Sequence, residues 1–116
     1  MALQFETLRT ETANNVRTIT LDRPQQHNAF GEEMREELLH ALIEAQEDDD
    51  ARVVVITGTG RWFCTGGDVR QMLAMKDDGA GFEKIRPILD EGRRVVSVLH
   101  EMPKPCIAMV NGAASG

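Results

Sequence analysis

A chain of 116 residues fits one small domain, and its 41% hydrophobic and 28% charged residues describe a globular protein rather than a disordered one. A formal net charge of −6 argues against nucleic acid as a partner, since neutralising phosphates calls for clustered Lys and Arg. No stretch approaches the roughly 18 apolar residues of a membrane span, and the opening MALQFETLRTET lacks the basic-then-apolar order of a secretory leader; no membrane partner is expected, and a cytoplasmic location follows by default.

Residues 3–12 alternate imperfectly, and residues 16–22 set Arg17, Ile19 and Leu21 opposite Val16, Thr18 and Thr20, which predicts two strands joined at Ala13-Asn14-Asn15. Over residues 32–47, Met34, Leu38, Leu42 and Ala45 recur at helical spacing, widened by Ala41 and Ile43. Gly31 suits the N-cap of this helix, and Glu32 and Glu33 suit the positive end of its dipole. Asp48, Asp49 and Asp50 repel one another and end it. Val53-Val54-Val55-Ile56 reads as a strand buried on both faces.

Residues 58–68, GTGRWFCTGGD, carry four glycines and predict a loop of special backbone geometry, followed by a short helix from Val69 to about Lys76. The segment KDDGAG, residues 76–81, reads as a mobile loop. Phe82, Ile85, Leu89, Val96 and Leu99 mark a second amphipathic helix with Pro87 expected in its first turn. Met102-Pro103-Lys104-Pro105 stops that helix, and residues 106–110 predict another buried strand, closed by Asn111-Gly112 and small residues to Gly116. The order β, β, α, β, α, α, β implies an α/β domain with a partly parallel sheet.

Two transitions could carry chemistry: residues 56–68 and 110–116, each a strand running into a glycine-bearing turn. In α/β proteins ligands bind at such carboxyl ends of strands, and glycine lets a turn aim N–H groups at one ligand oxygen. Other readings are weaker. Gly58-x-Gly60 is not a dinucleotide fingerprint, because Phe63 holds the third glycine position and no helix starts there. Cys64 and Cys106 lack CxxC spacing, and His27, His40 and His100 form no ligand pattern, so no structural metal and no disulfide framework is expected. Cys64 reads as a pocket-lining residue rather than a nucleophile, and Met72, Leu73 and Met75 as core or lid contacts.

The segment LDRPQQHNAF, residues 21–30, resembles the amino-terminal signature of the enoyl-CoA hydratase/isomerase (crotonase) superfamily. Residues 52–60 (RVVVITGTG), 63–69 (FCTGGDV) and 103–116 (PKPCIAMVNGAASG) resemble, in order, that family's strand, first oxyanion loop and second oxyanion loop. The resemblance implies a crotonase-like (ClpP/crotonase) fold of repeated ββα units, here incomplete, with residues 1–116 as the amino-terminal part of an acyl-CoA-binding domain. It further implies that two backbone N–H groups hold a thioester carbonyl, with Gly67 supplying one and the residue after Gly116 aligning with the other. Substrate contact is implied for Gln26, His27, Ala29, Cys64, Gly66, Gly67, Asp68, Val69, Gly112 and Gly116. Asp68 reads first as a loop or helix-cap residue. Arg23, Arg61, Arg70 and Lys76 are further basic candidates for the CoA phosphates.

The implied activity is enoyl-CoA hydration or isomerisation, with another superfamily reaction (dehalogenation, decarboxylation or thioester hydrolysis) or a non-catalytic binding module as alternatives. The family's acid/base carboxylates are expected after residue 116. No cofactor is implied beyond coenzyme A as part of the substrate, and a homotrimer or dimer of trimers is implied for the full-length protein.

Overall fold

Asn14 and Asn15 both take left-handed backbone angles, φ 52° and 66°. That is the two-residue turn whose twist matches paired strands, and it closes the hairpin between β1 (Leu8–Ala13) and β2 (Val16–Leu21). A single 3-10 turn (Pro24–Gln26) then leads to α1 (Glu32–Glu47), β3 (Val53–Gly58), β4 (Trp62–Cys64), α2 (Val69–Asp77), α3 (Phe82–Glu101), β5 (Cys106–Ala108) and β6 (Ala113–Ala114). The structure is a computed structural model and describes residues 4–77, 79 and 81–116.

The main sheet has the order β1-β2-β3-β5, with β1 antiparallel and the other three strands parallel. Ile19 lies beside Ile56 and Arg17 beside Val54, so the inward residues of β2 and β3 share a face. Against that face α1 buries Met34, Leu38, Leu39, Ala41, Leu42 and Ala45. Each fully buried aliphatic side chain there contributes roughly 1.5–3 kcal/mol. Val95 and Met102 join the same core from α3 and its C-cap.

Gly31 is the N-cap of α1 as expected, with Glu32 and Glu33 in the first turn, and Asp48 is its C-cap. The acidic triplet places negative charge at the negative end of the helix dipole. Lys104 offsets it: its ammonium donates to the carbonyls of Ala45 and Asp48, each at 2.7 Å. Arg17, on the buried face of β2, ties sheet to helix through Thr12, Glu44 and Asp48.

Several sequence expectations are corrected. The first strand begins at Leu8, and Leu3 lies outside the described residues. Val53 and Val55 are only half-buried, because among the described residues nothing packs on the sheet face away from α1 as fully as α1 packs on the other. The strand predicted over residues 106–110 ends at Ala108 and is not buried: it lies at the sheet edge, with Ile107, Met109 and Val110 exposed. Pro87 is not in the first turn of α3 but is the sixth residue, inside the helix. Its missing N–H forfeits one bond to the carbonyl of Glu83, which is tolerated on an exposed surface where water can replace the donor. Of the predicted loop at residues 76–81, Lys76 and Asp77 end α2, while Asp78 and Ala80 lie outside the described residues.

Two strands were not expected at all. β4 and β6 pair in parallel as a separate small sheet inside the two glycine-bearing segments.

Candidate functional site

The two strand-to-loop transitions pack backbone against backbone. A Cβ on Gly112 would meet the carbonyl of Arg61 at 2.0 Å, and one on Gly58 would meet the carbonyl of Trp62 at 2.5 Å, so side chains are excluded at both positions. Two asparagines weld the loops. Asn111 accepts the N–H of Gly58 at 3.0 Å and donates to the carbonyls of Gly60 (2.9 Å) and Trp62 (3.2 Å). Asn28 accepts the N–H of Arg23 at 2.8 Å and donates to the carbonyls of Thr59 (3.2 Å) and Trp62 (2.9 Å). Trp62 thereby receives both side-chain amides. The small sheet extends by one residue, since the Ser115 N–H donates to the carbonyl of Cys64 at 2.9 Å and its hydroxyl to that of Thr65 at 3.1 Å.

At the end of this joined edge lie Gly66 and Gly67. Gly66 has φ 92°, and a Cβ there would stand 2.9 Å from the Cα of Gly116 and 3.0 Å from the Ser115 carbonyl, so only glycine fits where the two loops meet at this point. The Phe30 N–H donates to the carbonyl of Gly66 at 2.6 Å. A trans peptide points its N–H opposite to its C=O, so anchoring the Gly66 carbonyl also aims the Gly67 N–H, away from Phe30. Among the described residues that N–H has no acceptor.

An apolar cleft of about 360 Å³ opens here, lined by Phe30, Phe63, Cys64, Gly66, Gly67 and Gly116, with Leu38, Val95 and Leu99 as its greasy wall. The Gly67 N–H thus stands beside an apolar cleft, free of any acceptor among the described residues, although Gly67 itself is exposed.

Cys64, Gly66, Gly67 and Gly116 are therefore gathered in one cleft, and the others of the set are not. Gly112 packs behind them against Arg61. Ala29 is buried beside Phe30, Gln26 is half-buried at the end of the 3-10 turn, and Val69 is exposed at the start of α2. His27 is exposed with a left-handed φ of 54°, and its ring stacks on Trp62 at 4.6 Å. Asp68 is a capping residue: one oxygen accepts the N–H groups of Arg70 (3.0 Å) and Gln71 (3.4 Å), and the other lies 3.5 Å from Arg23. Arg61, Arg70 and Lys76 are exposed, whereas Arg23 is engaged within the chain.

Asn28, Phe30 and Asn111 were missing from the sequence-derived set. Asn28 lies within the segment that carries the family resemblance, and its residue type is a further signal, since asparagine tolerates the left-handed φ of 56° found there. Met72 and Leu73 are not core residues. Met72 is 58% exposed, and its methyl group lies 2.4 Å from where a Cβ on Gly67 would stand, so it covers the backbone of that residue. Met72 also lines a second apolar cavity, of about 480 Å³, with Met75, Ile85, Ile88 and Leu89. No group of three or more metal-ligating side chains occurs among the described residues, and no described helix is long and apolar enough to cross a membrane.

A family model described as enoyl-CoA hydratase/isomerase matches residues 11–116. The chain belongs to the enoyl-CoA hydratase/isomerase family. Among its relatives, a probable enoyl-CoA hydratase of Rhodobacter capsulatus is 37% identical over 98% of this chain and 42% of its own length. A 1,2-epoxyphenylacetyl-CoA isomerase of Escherichia coli is 33% identical over 97% of this chain and 42% of its own. The crystal structure of an enoyl-CoA hydratase from Shewanella pealeana superposes with a TM-score of 0.88 at 31% identity, covering 96% of this chain and 41% of that one. The fold is accordingly that of the crotonase superfamily, and this enoyl-CoA hydratase/isomerase family chain spans about two fifths of the length of the relatives it matches.

Proposed function

We propose that this chain binds acyl-CoA thioesters and polarises the thioester carbonyl through the backbone N–H of Gly67, in the service of enoyl-CoA hydration or isomerisation. The observation that carries this reading is the Gly67 N–H, without an acceptor among the described residues, aimed by the Phe30–Gly66 hydrogen bond and set in the wall of an apolar cleft. Negative charge grows on a thioester oxygen as an enolate-like species forms, so a prepositioned donor stabilises that species more than the resting carbonyl. Ala29, Cys64 and Gly66 would flank the thioester and pantetheine, with Gln26 and His27 nearer the phosphates. The two relatives differ in named reaction, one a probable enoyl-CoA hydratase and one a 1,2-epoxyphenylacetyl-CoA isomerase, and both names fit a shared acyl-CoA-polarising step.

The test uses crotonyl-CoA labelled with ¹³C at the carbonyl. Binding to the wild-type chain is expected to move that resonance downfield. Gly67→Ala keeps the N–H, and its new methyl displaces only the flexible end of Met72, so most of the shift is retained. Gly67→Pro removes the donor and abolishes the shift. In a full-length protein the same loss costs about 3–4 kcal/mol in the chemical step. A wild-type carbonyl resonance that stays where free crotonyl-CoA has it, despite binding, would overturn the reading.

A further inference from the structure

The carbonyl of Ala29 and the N–H of Phe30 belong to one peptide unit, and the carbonyl of Gly66 and the N–H of Gly67 to another. Arg23 donates from Nη1 to the Ala29 carbonyl at 3.1 Å, and the Phe30 N–H donates to the Gly66 carbonyl at 2.6 Å. Because each trans unit points its N–H opposite to its C=O, the two dipoles line up head to tail, with a guanidinium at one end and the Gly67 N–H at the other. We propose that Arg23 is a positioning residue that orients and strengthens the Gly67 donor through these two peptide units, and that Asp68 sets how much of its charge is felt. This rests on the reading of Gly67 as the thioester donor.

Three features support it. Arg23 is mostly buried, at 18% side-chain exposure, so its field is weakly screened. Its backbone is also fixed, because Asn28 accepts its N–H at 2.8 Å and the Asn28 N–H donates back to its carbonyl at 2.9 Å. The far side of the turn is held independently by Arg35, which donates to the Phe30 carbonyl at 3.1 Å and faces Glu91 of α3 at 3.4 Å. A cation on a carbonyl polarises the whole amide, and hydrogen-bonded amides pass that polarisation on, so the terminal N–H becomes the better donor. The Asp68 carboxylate, 3.5 Å from Nη1, opposes the effect while capping α2.

The experiment compares wild type with Arg23→Gln, Arg23→Lys and Asp68→Asn, using ¹H–¹⁵N spectra of the free chain and the ¹³C carbonyl shift of bound crotonyl-CoA. Arg23→Gln can still donate but carries no charge. It is expected to move the Phe30 and Gly67 amide protons upfield and to reduce the thioester shift by on the order of 10–30%, the cooperative strengthening that one amide hydrogen bond passes to the next. Arg23→Lys should restore most of both signals, and Asp68→Asn should move the Gly67 proton downfield. Unchanged Gly67 and thioester signals in Arg23→Gln, or a Lys variant no better than Gln, overturns the proposal. Should Arg23→Gln lose its dispersed spectrum, a Gly67 proton unmoved in Asp68→Asn overturns it as well. If the wild-type thioester shows no shift while the Gly67 proton still answers to Arg23→Gln, the thioester reading falls and the coupling of Arg23 to Gly67 stands.

Discussion

Asn28 and Asn111 each gather three backbone groups near the cleft, and Asn28 is the buried one of the two. It is fully buried, left-handed, and spends its side chain on one N–H and two carbonyls from segments five, 31 and 34 residues away. Asn28→Ala would strand those groups and place a Cβ-bearing residue with no side-chain compensation in the left-handed region. A loss of roughly 2–4 kcal/mol is expected, read from the urea midpoint of the chain. Asn28→Asp should fare little better, because a carboxylate cannot donate to the two carbonyls. The glycines of the cleft were legible in the sequence, since a Gly-Gly pair in a polar segment has few other uses. Asn28 was not, because its value lies in partners more than 30 residues away that only the folded loops bring near.

At the scale of elements, α1 and the hairpin were legible because each repeats a period long enough to register: four helical turns in one case and clean alternation from Arg17 to Leu21 in the other. β4 and β6 have three and two residues, too short for any period, and exist because two loops lie side by side with their carbonyls and amides facing. The same limit hid the anchor of the amino-terminal segment. Glu37 of α1 accepts the N–H groups of Glu6 (2.8 Å) and Thr7 (2.7 Å) and the Thr7 hydroxyl. Burial alone would raise the carboxyl pKa, but these bonds outweigh it and hold the group below the ordinary glutamate value. A carboxylate depressed in the folded state contributes stability that is present above its unfolded pKa and lost as pH falls through the folded one. Melting temperature should therefore drop as pH falls from the ordinary glutamate range to below it, and the drop should be shallower in Glu37→Gln. Equal slopes for the two proteins would show that Glu37 does not anchor the segment.

Over the whole molecule, apolar side chains are unevenly covered. One face of the sheet is sealed by α1, while Ile107, Met109 and Val110 are exposed along and beyond β5, whose outer edge is unpaired among the described residues. The hydrophobic run was legible, but its burial was inferred from composition, and composition cannot say whether a neighbour exists. An exposed apolar edge strand invites pairing with another copy. Dynamic light scattering of the 116-residue chain should show concentration-dependent growth that Ile107→Lys suppresses, while Ile43→Lys, on the solvent side of α1, leaves it unchanged. Growth that is indifferent to both changes would place the contact elsewhere.

The joining of Cys64 and Thr65 to Ser115 also has a consequence in time. These partners stand about 50 residues apart, and the touch between Gly66 and Gly116 has the same span. During synthesis the Arg23, Phe30 and Gly66 contacts can form long before Ser115 leaves the ribosome, so the donor is aimed before the second loop reaches its cleft. A nascent chain halted after Leu99 but before Ser115 would carry an oriented amide on an open surface, with the greasy wall in place and the second loop still to arrive.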